Sequence, residues 1–155
     1  MTSDEPRGVG GWLLLFVFSQ VLFGPLRAAE GVWQMWERIG PHPFPVIRQM
    51  AIVIMIIILL MAIYGVMVGV LIWRGNKRGR TAARQYLIFR ILVTLVIFTS
   101  LTSWSYNSFG PSGARRMALG IIWPAAVEVA FCLIWLAYFI FSKRVRNTYC
   151  EKPES

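Results

Sequence analysis

Residues 49–73 read QMAIVIMIIILLMAIYGVMVGVLIW, a run of about 25 residues that contains no charged side chain. A helix that crosses the hydrocarbon core of a bilayer needs about 20 predominantly apolar residues, within a range of about 17 to 25. The run is continuously apolar, whereas a strand of a membrane barrel alternates apolar and polar residues with a period of two. Residues 49–73 therefore predict a transmembrane α-helix.

The composition of the whole chain agrees with this interpretation. Hydrophobic residues make up 57% of the 155 residues and charged residues only 15%, against about 25% charged in typical soluble domains. A soluble core of this size cannot hide so much apolar surface, so we expect the surplus to face lipid. The net charge of +9 lies beside the hydrophobic runs and not on one continuous face. This distribution favours a role in membrane topology and argues against nucleic-acid binding.

Three further apolar runs are close to or within the same length range, so the sequence predicts an all-α fold, a single membrane domain with four transmembrane helices. These runs cover roughly residues 11–26, 86–104 and 117–141. Gly24-Pro25 marks the predicted end of the first run. Because Asp4, Glu5 and Arg7 do not form a clearly basic leader, we expect this run to be an uncleaved first span and not a signal peptide.

The Lys and Arg residues predict which side of the membrane faces the cytoplasm. Ten of them lie in the N-terminal tail, in the loop between the second and third spans, or in the C-terminal tail, which share one side of the membrane. Five lie on the opposite side. The positive-inside rule assigns the richer side to the cytoplasm, so both termini are expected there. On that side we predict five contacts with anionic lipid headgroups. They are made by Arg78, Arg80, Lys143, Arg144 and Arg146.

The two outer loops are short. Residues 28–39 carry apolar side chains at helical spacing with polar ones opposite, which predicts a short amphipathic helix in the outer membrane interface. Pro41, Pro43 and Pro45 cannot continue this helix, because each lacks an N–H and restricts the residue before it. Residues 105–116 form the second predicted loop, in which Gly110-Pro111 is a turn signal.

Glu128 is the strongest functional candidate, because it is the only carboxylate inside a predicted span. A charge at the bilayer centre costs about 2.5 to 3.5 kcal/mol on insertion scales, so the side chain has to face the bundle interior, a partner or water. Two interpretations stay open: a proton or cation site, or a polar clasp that hydrogen-bonds neighbouring helices. Gln20 and Thr94 fall near the same predicted depth and are candidate partners.

Arg90 lies about one turn inside the cytoplasmic end of the third predicted span. We expect its stem to lie in lipid while its head reaches the interface. Pairing with Glu128 is the alternative. Depth counting at about 1.5 Å per residue opposes direct contact, since it separates the two Cα positions by roughly 13 Å along the membrane normal. Both side chains would have to reach, or a water would have to bridge them.

Other residues predict packing and argue against bound groups. Gly65 and Gly69 form a small-xxx-small face that permits close helix approach, within the bundle or between protomers. The chain has one histidine, His42, in a predicted loop. A single histidine argues against a bis-His haem site and a His-based metal cluster. We therefore expect no metal and no cofactor.

The two ends of the chain carry a recognisable set of residues. They are Gly10-Gly11-Trp12-Leu13 at the first span, and Trp135, Tyr138-Phe139, Ser142-Lys143-Arg144-Val145 and Thr148-Tyr149 around the end of the last. Together with four spans, this set resembles the bacterial domain-of-unknown-function 2569 family of small inner-membrane proteins. The resemblance implies a location and a topology but no mechanism, because the family carries no established activity.

Two functions from different classes stay open. One is an accessory or structural membrane protein that packs on itself as a homo-oligomer or on a larger membrane complex, in contact with the lipid bilayer. The alternative is a small proton- or ion-coupled transporter or channel subunit that uses Glu128. An enzyme is not expected, because the chain lacks a nucleotide loop and any nucleophile–base pair recognisable by its spacing.

Overall fold

A computed structural model describes residues 11–39, 45–76, 78–142 and 145. The regular elements within these ranges are all helical, which confirms the all-α class. They are α1 (Trp12–Phe18), a π-helical segment (Ser19–Phe23), α2 (Gly24–Ile39), α3 (Pro45–Trp73) and α4 (Gly79–Phe141). Three stretches of the described chain are long and apolar enough to cross a membrane, namely Trp12–Glu37, Pro45–Trp73 and Gly79–Phe141.

These three stretches leave most of their apolar side chains uncovered by the protein. In the most apolar 18-residue window of α4, only 6% of the residues are buried. Soluble monomers rarely expose contiguous apolar surface on this scale. By length, composition and exposure, these helices are candidate membrane spans.

The first helix does not end at Gly24-Pro25, so that prediction was wrong. α2 begins at Gly24 directly after the π-helical segment, and Pro25 lies in its first turn, where a missing backbone N–H is tolerated. The N–H of Gly24 donates to the carbonyl of Ser19, five residues earlier. This wider turn changes the backbone pairing just before the proline and lets the helix continue to Ile39.

α2 includes the predicted amphipathic helix at residues 28–39 and packs against α3. Ala28 is buried, whereas Trp33 and Trp36 are 64% and 53% exposed. Large amphipathic rings of this kind concentrate at membrane–water interfaces. The interfacial position of α2 stays a prediction, and the proline-rich turn at residues 41–44 lies outside the described residues.

A tight turn joins α3 to α4. Gly75 has a φ of 65°, and the N–H groups of Gly75 and Asn76 donate to carbonyls of the last turn of α3 at 3.0 and 3.1 Å. These are the two hydrogen bonds of a Schellman cap. Asn76 Oδ1 then accepts from the N–H of Arg78 at 2.9 Å. The basic loop expected to reach Arg84 is shorter than predicted, because Arg80 and Arg84 already belong to α4.

α4 is 63 residues long and breaks at Gly110. Gly110 has φ 71° and ψ −167°, a conformation in which a Cβ is strained and which glycine adopts freely. Pro111 follows, and the residue before a proline is disfavoured from the helical region. The break divides α4 into an N-terminal arm, residues 79–109, and a C-terminal arm, residues 111–141. The loop predicted at residues 105–116 is therefore mostly helical.

The chain divides into two compact units. The first contains α1, the π-helical segment, α2, α3 and the beginning of α4 as far as Ala83, and the second is Arg84–Phe141. In the first unit, α3 contacts α1, the π-helical segment and α2. Its buried apolar residues include Leu13, Phe16, Val17, Val68 and Ile72.

Gly69 lies where α3 approaches the π-helical segment. A Cβ added at Gly69 would lie 2.6 Å from Val21 Cγ2 and 3.5 Å from Gln20 Cβ. We expect Gly69→Ala to destabilise the protein by about 1–3 kcal/mol, the usual cost of overpacking. SDS-induced unfolding in mixed micelles would measure this loss.

Two further variants control this prediction. Val21→Ala should recover much of the stability when combined with Gly69→Ala, because it removes the methyl group that collides. Gly31→Ala should not destabilise the protein, since a Cβ at this helical position meets open space. A loss at Gly69→Ala that Val21→Ala leaves unchanged would show that this contact does not limit packing.

Candidate functional site

Arg90 and Glu128 lie on different arms of α4 and form an ion pair. Arg90 Nε contacts Glu128 Oε1. The Arg90 side chain is 23% exposed and the Glu128 side chain 21%. Because 38 positions of sequence separate the two residues, the pair is a tertiary contact that ties the N-terminal arm to the C-terminal arm.

The position of the break explains why the two residues meet. Arg90 lies 20 residues before Gly110 and Glu128 lies 18 residues after it. Two antiparallel arms then bring them to within about 3 Å of the same height, at about 1.5 Å per residue. The expected offset of roughly 13 Å was wrong because it started the third span at residue 86, whereas α4 begins at Gly79.

Two aromatic residues hold the guanidinium group of Arg90. Arg90 Nη1 donates to Tyr86 Oη at 2.9 Å, one helical turn earlier on the same arm. Arg90 Cζ lies 5.8 Å from the ring centroid of Tyr86 and 5.8 Å from that of Phe131, on the other arm. A cation within about 6 Å of a ring centroid is attracted by the ring. The cation is therefore held by the carboxylate of Glu128, by Tyr86 through its hydroxyl, and by the ring of Phe131.

Cys132 adds a weaker contact on the Glu128 side. Its buried thiol donates to Glu128 Oε1 at 4.0 Å, a long contact from a weak donor. We call Tyr86, Arg90, Glu128, Phe131 and Cys132 the ion-pair cluster. Each charge in this cluster is compensated by the other, and removing one partner would leave an uncompensated charge among apolar side chains.

Sequence reasoning selected Arg90 and Glu128 but missed the other three members of the cluster. Tyr86 precedes Arg90 by four residues, and Phe131 and Cys132 follow Glu128 by three and four. Residues three or four apart share one face of a helix. This spacing around each charged residue was the signal that could have identified them.

Three threonine hydroxyls of the N-terminal arm bond back to their own helix. Thr94 Oγ1 donates to the carbonyl of Arg90 at 2.9 Å. Thr99 and Thr102 likewise donate to carbonyls four residues earlier, at 2.9 and 2.8 Å. Thr94, a predicted partner of Glu128, therefore donates to backbone and not to the carboxylate.

The remaining predicted residues lie in the first unit. Gln20 is only 2% exposed and its Nε2 donates to Ser19 Oγ at 3.2 Å, within the π-helical segment. Gly65 and Gly69 are both buried on α3. Of the predicted headgroup contacts, Arg78 is exposed beside the start of α4 and Arg80 lies within its first turn. The other three, Lys143, Arg144 and Arg146, lie outside the described residues.

The chemistry of the cluster is that of a fixed ion pair. Within the part of the chain that the structure describes, no three His, Cys, Asp or Glu side chains are grouped in a way that could hold a metal ion. The groups that surround Glu128 in the cluster are a guanidinium and a thiol. Such a site can hold two helices together and set their register.

Comparison with known proteins gives one family. A family model described as "Protein of unknown function (DUF2569)" matches residues 6–150. No curated protein and no solved structure matches the chain. The match includes both arms of α4 and the whole ion-pair cluster, and its description names no activity.

Proposed function

We propose, on the premise that this chain belongs to the DUF2569 family of proteins of unknown function, that it is a four-span accessory protein of the bacterial inner membrane. In this role it associates through its helices with copies of itself or with a larger membrane complex. It carries no transport or catalytic activity of its own. The observation that carries the proposal is the ion pair between Arg90 and Glu128, which engages the one carboxylate of the predicted spans in a contact between helices.

The length of α4 supports two crossings by this element. As one straight helix, its 63 residues would extend about 95 Å, roughly three times the 30 Å thickness of the hydrocarbon core. Each arm alone would extend about 46 Å, enough for one tilted crossing. Gly110 supplies the reversal, and the ion pair between the arms is consistent with two helices lying side by side. With Trp12–Glu37 and α3, the proposed number of spans is four.

The positive charges support the proposed orientation. Arg74, Arg78, Arg80 and Arg84 cluster around the turn between α3 and α4. Loops on the cytoplasmic side of a membrane protein carry an excess of Lys and Arg. An even number of spans then returns the C-terminal tail, with its own basic residues, to the same side.

The environment of Glu128 supports a structural clasp over an ion-coupling site. A coupling carboxylate has to release its ion and bind it again, whereas this carboxylate contacts a guanidinium that Tyr86 and Phe131 also hold. On the arm that carries Arg90, the hydroxyls of Thr94, Thr99 and Thr102 donate to backbone carbonyls. The cluster therefore has the features expected of a group that fixes the two arms.

Two measurements on purified protein test the proposal. Purification in a mild detergent, followed by mass spectrometry and determination of the oligomeric state, should find either a stoichiometric partner protein or a defined homo-oligomer. Reconstitution into liposomes that contain a pH-sensitive dye should show no proton flux above that of protein-free liposomes.

Variants make the flux measurement decisive. Glu128→Gln removes the titratable carboxylate, and Glu30→Gln makes the same change on α2, where Glu30 accepts a bond from Gln34 one turn later at 3.0 Å. Flux in the wild type that is lost in Glu128→Gln and kept in Glu30→Gln would establish the transporter alternative. Flux at the protein-free level in all three proteins is the expected result.

A further inference from the structure

A pocket opens beside the break in α4, within the second unit. Its volume is about 520 Å³, and the residues that line it are Ser105, Phe109, Ser112, Gly113, Arg116 and Met117. It is formed by the last turns of the N-terminal arm and the first turns of the C-terminal arm. The ion-pair cluster does not contribute to it.

Ser105 is the first sign that this pocket takes a ligand. Ser105 is 3% exposed. Among the residues that the structure describes, no hydrogen bond joins its hydroxyl to another group. Thr94, Thr99 and Thr102 of the same arm each donate their hydroxyl to a carbonyl four residues earlier. A buried hydroxyl without a partner is unfavourable, so an acceptor placed in the pocket would stabilise it.

Gly113 lets the C-terminal arm pack close to this hydroxyl. A Cβ at Gly113 would lie 3.3 Å from Ser105 Oγ and 2.4 Å from Phe109 Cβ, so a larger residue here would force a shift. The Ser105 hydroxyl therefore lies where the two arms meet, in the wall of the pocket that Ser105 and Gly113 both line.

The rest of the lining selects the charge of the ligand. Arg116 supplies a guanidinium and Ser112 a second hydroxyl, and both lie in the first two turns of the C-terminal arm. The N-terminus of a helix also carries partial positive charge and favours anions. Phe109 and Met117 add an apolar wall. A group with oxygen acceptors, negative charge and an apolar portion fits these four features.

We propose that this pocket binds the phosphate group of an anionic phospholipid. The hydroxyls of Ser105 and Ser112 donate to phosphate oxygens, Arg116 pairs with the negative charge, and Phe109 and Met117 contact the apolar part of the lipid. The apolar wall and the exposed apolar surface of α4 favour a lipid phosphate over free inorganic phosphate. This inference needs a chain inserted in a membrane but does not need the accessory role, so either can fail without the other.

The experiment measures binding to the full chain purified in a phosphate-free detergent. The probes are dioleoyl phosphatidylglycerol, dioleoyl glycerol, which lacks the phosphate, and inorganic phosphate, each titrated with Kd as the readout. Phosphatidylglycerol should bind in a saturable manner. Dioleoyl glycerol should show no saturable binding, and inorganic phosphate should bind at least about 100-fold more weakly, because it lacks the apolar contacts.

Matched variants locate the site. Arg116→Gln should raise the Kd for phosphatidylglycerol about tenfold or more, because it removes the positive charge, and Ser105→Ala about fivefold, because it removes one hydroxyl donor to the phosphate. Arg115→Gln and Ser108→Ala make the same changes at exposed neighbours outside the pocket and should leave the Kd within about twofold. Without lipid, Ser105→Ala should unfold at the same SDS fraction as the wild type or a higher one, because it removes an unpartnered buried hydroxyl.

Three results would overturn the inference. Equal weakening by Arg115→Gln and Arg116→Gln would show that binding depends on diffuse charge and not on this pocket. Dioleoyl glycerol that binds as tightly as phosphatidylglycerol would exclude recognition of the phosphate. Inorganic phosphate that binds as tightly as the lipid would exclude a lipid ligand.

Discussion

Glu128→Gln is expected to destabilise the protein by about 1.5–3 kcal/mol, the range for a hydrogen bond to a charged group, because the Arg90 and Glu128 side chains are only partly buried, at 23% and 21% exposed. The variant keeps the size of the side chain and a hydrogen-bond acceptor, but it leaves the Arg90 cation without a counter-charge among Tyr86, Phe131 and apolar surface. SDS-induced unfolding in mixed micelles gives the free-energy difference. Arg84→Gln removes a charge at an exposed position of the N-terminal arm, which also carries Arg90. It should cost less than about 0.5 kcal/mol.

A double variant distinguishes the loss of a pair from the exposure of an unpaired charge. Replacing both partners with apolar residues, as in Arg90→Met with Glu128→Leu, removes the two charges together. Well-packed apolar replacements of a buried pair are often neutral or stabilising, so the double variant should be more stable than Glu128→Gln alone.

The size of the loss also tests the charge of the pair. Hydrogen bonds between helices in a membrane contribute about 0.6 kcal/mol on average. A loss of that size at Glu128→Gln, with no rescue in the double variant, would mean that Arg90 and Glu128 share only an ordinary hydrogen bond. The account of the cluster as a charged clasp would then be wrong.

Gly110→Ala is expected to destabilise the protein by about 1–3 kcal/mol, the range for a non-glycine residue held in a disfavoured backbone conformation. The cause is the backbone and not crowding, because an added Cβ meets nothing within 4 Å while φ is 71°. Gly120→Ala on the C-terminal arm also meets nothing within 4 Å, and it lies in regular helix. This control should be neutral or stabilising by up to about 1 kcal/mol.

The break and the ion pair should be coupled. If Gly110 sets the reversal that brings Arg90 to Glu128, then Gly110→Ala weakens the pair before any charge is removed. Glu128→Gln combined with Gly110→Ala should therefore cost less than the sum of the two single losses, which a double-mutant cycle detects. Full additivity would show that the two arms meet in the correct register without the glycine.

Much of the fold could be predicted from the hydrophobic pattern, and the errors occur where polar or proline residues lie inside helices. Residues 49–73 lie within the observed α3, Pro45–Trp73, because a long charge-free run has few alternatives. The break expected at Gly24-Pro25 is absent, since the preceding π-helical segment accommodates the proline. Residues 105–116 look like a loop because they are rich in Ser, Gly and Arg. Their backbone is nevertheless helical except at Gly110.

The candidate site was partly predictable for a similar reason. A carboxylate and an arginine inside apolar runs are conspicuous, so Glu128 and Arg90 could be selected from the sequence alone. Their pairing was missed because their depths were counted from the outer limits of the predicted spans, and the third span was started at residue 86, whereas α4 begins at Gly79. Those seven residues amount to about 10 Å, most of the roughly 13 Å offset that opposed a contact.

The central claim is that α4 crosses the membrane twice, with its break on the opposite side from both of its ends. Single cysteines can be introduced by Arg78→Cys, Ser108→Cys and Ser155→Cys in a chain that also carries Cys150→Ser. A membrane-impermeant maleimide tests them in intact and permeabilised cells, and the native Cys132, which is buried, serves as the background. Cysteines at 78 and 155 should react only after permeabilisation, and the cysteine at 108 should react in intact cells. Labelling that places 78 and 155 on opposite faces of the membrane would contradict the claim.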